Sequence, residues 1–240
     1  MAAVDKGCRR FLIGLGGSAT NDGGMGMIGA EGFLEKTRGL QFTIACDVDT
    51  PYIGRNGASR VFGPQKGASV QDVEVLEERL RGYALKILED TGIDVSDMPG
   101  AGAAGGLGGA FRAYLGAELK RGVDLVLDQI GFDSVIAGAD LVITGEGCSD
   151  YQTLKGKTAV GVLERAERLN IPVALVSGAV RDEKMLRDRG FRIVWAVTPP
   201  AMSLEEAMRP ETAKHLVAVA TRNILHQFCI YYRVLHMRNH

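Results

Sequence analysis

The chain has 240 residues, 28 basic and 29 acidic side chains, a net charge of −1 and 6% aromatics. This balance excludes the basic face of a nucleic-acid binder, and the aromatics are too few for base-stacking platforms. The length allows one large or two small domains with ample core.

R-R-F-L-I-G-L, 9–15, is a short apolar run that predicts a buried strand feeding a glycine-rich loop, Gly16 to Met27. L-Q-F-T-I-A-C-D-V-D-T, 40–50, predicts a second strand ending in two aspartates, and G-P-Q-K-G-A, 63–68, a loop. Residues 70–90 repeat apolar side chains at three and four (Val73, Leu76, Leu80, Tyr83, Ile87 and Leu88), which predicts a helix, with Ser69 and Asp72 as its start signal. The stretch 99–117 is glycine-rich and turns helical from about Leu107, and Val123–Leu127 is a short apolar run. Strands are then expected at Leu141–Thr144, Ile171–Val176 and Ile193–Val197, and helices at Lys157–Leu169, Asp182–Arg189 and 211–228, with Ser203 capping a short one. Alternating βα units imply parallel sheets with substrates at the carboxyl ends of the strands, where Thr144–Asp150 and Ser177–Ala179 would fall. We expect two α/β units with a loose boundary near residue 120: a glycine-rich unit over 1–120 and a doubly wound parallel-sheet unit over 121–240.

Glycine numbers 32, nearly twice the usual share, which suggests backbone packed close to a ligand. Cys8, Cys46, Cys148 and Cys229 form no C-x-x-C pair, which argues against a metal or disulfide framework and for a reducing cytoplasm. No apolar run approaches a membrane span, and the N-terminus lacks the apolar core of a secretory signal. G-L-G-G-S-A, 14–19, spells a dinucleotide fingerprint, but N-D-G-G-M-G-M follows where a long helix should run. The better reading is an anion cradle of backbone N–H groups with Ser18 and Thr20 as donors. T-G-E-G-C-S-D-Y-Q-T-L-K-G-K-T, 144–158, ends like a phosphate-binding loop, yet the first glycine of such a loop would fall at Tyr151. Asp22, Asp47, Asp49, Glu146 and Asp150 follow strands or loops, where carboxylates hold Mg²⁺, accept a hydroxyl proton or simply make turns. Lys66 and Lys157 are candidate partners of phosphate or carboxylate.

R-R-F-L-I-G-L-G-G-S-A-T-N-D-G-G-M-G-M, A-C-D-V-D-T-P, V-F-G-P-Q-K-G-A, G-A-G-A-A-G-G-L-G and L-V-I-T-G-E-G-x-x-D-x-Q-T-x-x-G-K-T, in this order, resemble the bacterial glycerate kinase family with two interleaved α/β domains. The resemblance covers about residues 5–228. It implies ATP-dependent, Mg²⁺-assisted phosphorylation of D-glycerate, to 2-phosphoglycerate in most bacterial members, in a cleft between the domains. On this view Gly16, Gly17, Ser18, Thr20, Gly145, Gly147, Gln152, Thr153 and Lys157 bind substrate or nucleotide. Asp47, Asp49 or Glu146 hold the metal, Asp22 or Asp150 is the base, and Lys66 assists the transfer. The expected partners are small molecules, with no nucleic acid or membrane and with self-association open.

Three departures accompany the resemblance. The family's opening strand with its P-D-S-F-K-type loop and its D-G-G-E-G segment are missing, so the chain is expected to start partway through the pattern. The stretch from Glu31 to Gln41 is expected to be shortened. Cys148 and Ser149 stand where the family's G-E-G-R-[IL]-D has arginine and an apolar residue. These departures keep a second reading open, a non-catalytic remnant with a binding or structural role.

Overall fold

The computed structural model describes residues 2–156 and 158–237 and divides into two compact units, Met1–Leu125 and Val126–His240. The first unit opens with helix α1 (Ala2–Asp5) and strand β1 (Arg10–Gly14), followed by short helices α2 (Met25–Ile28) and α3 (Phe33–Thr37). Strand β2 (Gln41–Ala45), helices α4 (Ala58–Phe62), α5 (Val70–Thr91) and α6 (Ala103–Leu115), and strand β3 (Glu118–Lys120) complete it. The three strands form one parallel sheet in the order β1-β2-β3, with Ile13 beside Ile44 and Ile44 beside Leu119. Phe42, Ile44 and Phe111 bury one side of this sheet, and Phe11 stacks on Phe42 at 5.0 Å. A second core gathers Tyr52, Leu80, Ala84 and Ile87 between α5 and the chain around it.

Helix α5 forms where its period and its ends agree. Ser69 accepts from the Asp72 N–H, while the Asp72 carboxylate accepts from the Ser69 N–H, a reciprocal cap at the N-terminus. Gly92 closes the other end with φ 73°, and Val73, Leu80, Ala84 and Ile87 make the buried stripe. The helical start expected near Leu107 in 99–117 meets a kinked entry, because Ala104, Gly105 and Gly106 within α6 have non-helical backbone.

Glycine serves the fold more than the sequence reading allowed. A Cβ on Gly105 would lie 2.2 Å from the Thr20 carbonyl, and one on Gly106 would lie 2.5 Å from the Gly23 Cα. The start of α6 therefore lies backbone to backbone on the loop after β1, tied by the Gly23 N–H donating to the Gly105 carbonyl. The ligand expected beside these glycines is here another piece of chain.

Helix α7 (Gly122–Gln129) crosses the division between the units, so the apolar run 123–127 is helical. The second unit continues with α8 (Phe132–Ile136), β4 (Val142–Ser149), α9 (Thr158–Arg168), β5 (Val173–Val180), α10 (Glu183–Arg189), β6 (Ile193–Ala196), α11 (Leu204–Ala207) and α12 (Pro210–Met237). Its sheet is parallel in the order β4-β5-β6. Val173, Ala174 and Leu175 of the central β5 are fully buried, while β4 alternates between buried and exposed.

One expectation about this unit is corrected. T-G-E-G-C-S and Ser177-Gly178-Ala179 lie inside β4 and β5, with Glu146 paired to Ser177 and Cys148 to Ala179. A Cβ on Gly145 would stand 2.5 Å from the Val176 carbonyl, and one on Gly178 would stand 2.5 Å from the Gly147 carbonyl. These glycines let two strands approach closely, and a composition that reads as loop is a ladder.

Candidate functional site

The chain leaves β1 as Leu15-Gly16-Gly17-Ser18, at the carboxyl end of the first sheet. Gly16 and Gly17 differ from the packed glycines, since a Cβ on either would meet nothing within 4 Å. They line a hollow of about 490 Å³ together with Ser18, Val48, Phe62 and Lys66. Ala104 closes another part of the wall with φ 51°, a left-handed alanine that stores roughly 1–2 kcal/mol of strain.

Lys66 organises this end of the unit. It lies in the turn Pro64–Lys66 after α4, and its Nζ donates to Ser18 Oγ at 3.0 Å and to the Thr20 carbonyl. Among the described residues no carboxylate pairs with it, and burial pushes its ammonium below the usual lysine range. A half-buried cation with only neutral partners lacks the counter-charge that such groups normally find in the fold. Ser18 Oγ accepts from Lys66, which leaves its own O–H to donate.

Asp22 holds the loop in shape. Its Oδ1 accepts from Thr20 Oγ1 at 2.9 Å and from the Gly24 N–H at 3.0 Å, and its Oδ2 accepts from the Gly26 N–H at 2.9 Å. Burial alone would raise its pKa, but the Gly26 and Gly24 amides and the Thr20 hydroxyl outweigh it and hold the carboxyl below its ordinary value. Asn21 donates from Nδ2 to the buried Ser59 Oγ at 2.8 Å, and Tyr52, fully buried, donates to the Gly23 carbonyl at 2.9 Å. On its other side Lys66 borders a second hollow of about 530 Å³, with Asn21, Asp22, Asp72 and Arg79 among its walls.

Asp47 and Asp49 are exposed after β2, and Asp47 Oδ1 accepts the Gly122 N–H at 2.6 Å at the start of α7. In the second unit Glu146 Oε1 accepts from Ser149 Oγ at 2.7 Å and from Thr153 Oγ1, and Ser149 in turn bonds Ser177. Among the described residues no three His, Cys, Asp or Glu side chains gather as a metal site. Thr153 is 0% exposed and its hydroxyl donates to Glu146. Asp150 accepts the Gln152 N–H at 2.8 Å in a turn whose Gln152 is exposed. Gly145 and Glu146 line a hollow of about 410 Å³ against Ser177, Val217 and Thr221, whereas Gly147 is exposed on the strand. Lys157 lies outside the described residues.

The structure thus brings Gly16, Gly17, Ser18, Thr20, Asp22 and Lys66 together within one unit. The sequence reading missed Asn21, Phe62 and Arg79 beside them. Arg79 left a faint signal: one turn away on α5 it has Val75 and Tyr83, whereas Arg81 has Glu77 and Lys86 has Asp90. No helix among the described residues is long and apolar enough to cross a membrane.

The model of the glycerate kinase family matches residues 1–36 and 31–229. The chain is 40% identical to a glycerate kinase of Bacillus subtilis (strain 168) over 235 residues, covering 86% of this chain and 62% of that one. It is 37% identical to a glycerate 2-kinase of Escherichia coli (strain K12), covering 93% of this chain and 66% of the relative. A crystal structure of a presumed glycerate kinase 2 from Salmonella typhimurium LT2 superposes with a TM-score of 0.76 at 36% identity, covering 97% of this chain and 67% of that one. The chain spans 62% to 66% of the length of the curated glycerate kinases it matches.

Proposed function

Since the chain belongs to the glycerate kinase family, we propose that it phosphorylates D-glycerate with ATP, giving 2-phosphoglycerate. The observation that carries this reading is Lys66, a half-buried cation without a carboxylate partner, set beside the open Gly16-Gly17-Ser18 turn. Phosphoryl transfer needs positioning and positive charge around a moving anion more than covalent help. Lys66 and the Ser18 hydroxyl supply charge and a donor, and the exposed backbone at Gly16 and Gly17 admits a phosphate closely.

In the reaction a hydroxyl oxygen of glycerate forms the new bond to the γ-phosphorus. The bond from phosphorus to the bridging oxygen breaks, and its electron pair leaves with ADP. The hydroxyl proton passes to a carboxylate. Asp22 is held ionised by three hydrogen bonds and is a weak base, so it acts as the loop's anchor. Mg²⁺ binds through one or two carboxylates together with substrate phosphates, and the exposed pair Asp47 and Asp49 fits that demand better than Glu146, whose Oε1 already serves two hydroxyls. When bound, the ion neutralises charge on the phosphates.

The test is ADP release from ATP and Mg²⁺ by the purified chain, with and without D-glycerate. Glycerate-dependent ADP supports the reading, and its absence from folded protein refutes it. A second reading, a family member that binds without turnover, is favoured by Cys148 in the G-E-G strand. It predicts binding of nucleotide or acid with no ADP formed.

A further inference from the structure

Lys66 is a wall of two hollows whose chemistry differs. The one at Gly16–Ser18 offers Lys66, a hydroxyl and backbone, with no carboxylate among its lining residues. The one at Asn21 mixes cations, Lys66 and Arg79, with acceptors, Asn21, Asp22 and Asp72. A bare phosphate suits the first and meets repulsion from carboxylates in the second. A hydroxy acid suits the second, because its hydroxyls donate while its carboxylate seeks a cation.

The partners already made sharpen this contrast. Asp22 accepts from Thr20, Gly24 and Gly26, and Asp72 Oδ2 accepts from the N–H and hydroxyl of Ser69; neither carboxylate pairs with Arg79. Nearby cations are matched: Arg60 pairs with Glu74, Arg81 with Glu77 and Lys86 with Asp90. Arg79, exposed on the α5 face that carries Asp72 and Val75 toward the hollow, has no carboxylate partner among the described residues. The hollow therefore holds two cations, Lys66 and Arg79, without a carboxylate partner, and the carboxylate of a small hydroxy acid supplies the missing anion.

We propose that the hollow bounded by Asn21, Lys66 and Arg79 is the hydroxy-acid half-site, with Arg79 holding the substrate carboxylate. The phosphoryl donor occupies the hollow on the other side of Lys66. The identity of the acid rests on the kinase reading above; the half-site itself rests on the unmatched groups. Arginine is suited to the role because its planar fork takes a carboxylate through two parallel bonds.

The test is calorimetric titration of the full chain and of Arg79→Gln and Arg79→Lys with D-glycerate, with glycerol as neutral comparator and with ATP. Loss of a charged hydrogen bond predicts a Kd for D-glycerate weaker by about tenfold or more in Arg79→Gln, with ATP binding unchanged and part of the loss recovered in Arg79→Lys. In turnover the same variant raises KM for D-glycerate and leaves kcat nearly intact. Unchanged D-glycerate binding, or equal weakening for glycerol and ATP, overturns the half-site, as does a wild-type chain that binds no D-glycerate. Wild-type binding that depends on Arg79 without ADP release keeps the half-site and removes the kinase reading. Turnover with an unaltered KM in Arg79→Gln does the reverse.

Discussion

Replacing Gly105 with alanine probes the contact on which the candidate site is built. Gly105 has φ 69°, and its added methyl would lie 2.2 Å from the Thr20 carbonyl and 2.6 Å from the Asn21 Cα. Both obstacles are backbone, so no side chain can swing aside. The left-handed backbone costs an alanine about 1–2 kcal/mol, and overpacking adds about 1–3 kcal/mol. Gly116 is the internal control, with φ 62° and nothing within 4 Å of an added Cβ. Gly116→Ala carries the first cost alone. Urea denaturation is followed by circular dichroism, because the single tryptophan, Trp195, reports the other unit. Gly105→Ala is expected to lose about 2–5 kcal/mol and Gly116→Ala about 1–2 kcal/mol. Gly105→Ala also displaces the Thr20 carbonyl that Lys66 holds, so phosphate binding falls with it. Equal losses in the two variants would refute the reasoning that chain packed on chain, and not backbone conformation alone, requires this glycine.

Three further outcomes are expected. Ser69→Ala removes the cap of α5 and costs about 0.5–2 kcal/mol in the same denaturation assay. Asp22 has a folded pKa below its unfolded one, so its stabilisation is fully present above the unfolded value and disappears as pH falls through the folded value; the gap in urea midpoint between wild type and Asp22→Asn should be constant near neutrality and close in acid. Lys66 has a folded pKa below its unfolded one, so its ammonium destabilises the empty fold at low pH and the penalty lifts as pH rises through that window. An anion restores its proton, so calorimetry with ATP in buffers of different ionisation enthalpy should show proton uptake in the alkaline range, and Lys66→Met should abolish it.

Much of the first unit was legible because local and global signals agree there. Ser69 and Asp72 announced the start of α5 by the chemistry they perform in the cap. The open turn at Gly16–Ser18 was readable because a strand feeds it, and strand ends expose backbone. The G-E-G segment was misread because its glycines serve strand approach against Val176 and Gly178, a requirement set by a partner 30 or so residues away. The burial of Thr153 against Glu146 was not legible, because it too depends on how the strand end folds back. Arg79 was hidden for the opposite reason: its sequence neighbours mark it only by offering no carboxylate one turn away, and its place on the wall of a hollow is set by the fold.

Lys66 is one cation with two neighbours to serve. An anion on either side draws on the same charge, so whichever arrives second meets a site already partly neutralised. Linkage makes that penalty mutual: each occupant loosens the other by the same factor. With both hollows filled as proposed, each occupant is held less firmly than it would be alone, and the charge that gathers the pair also gives them a shared reason to part.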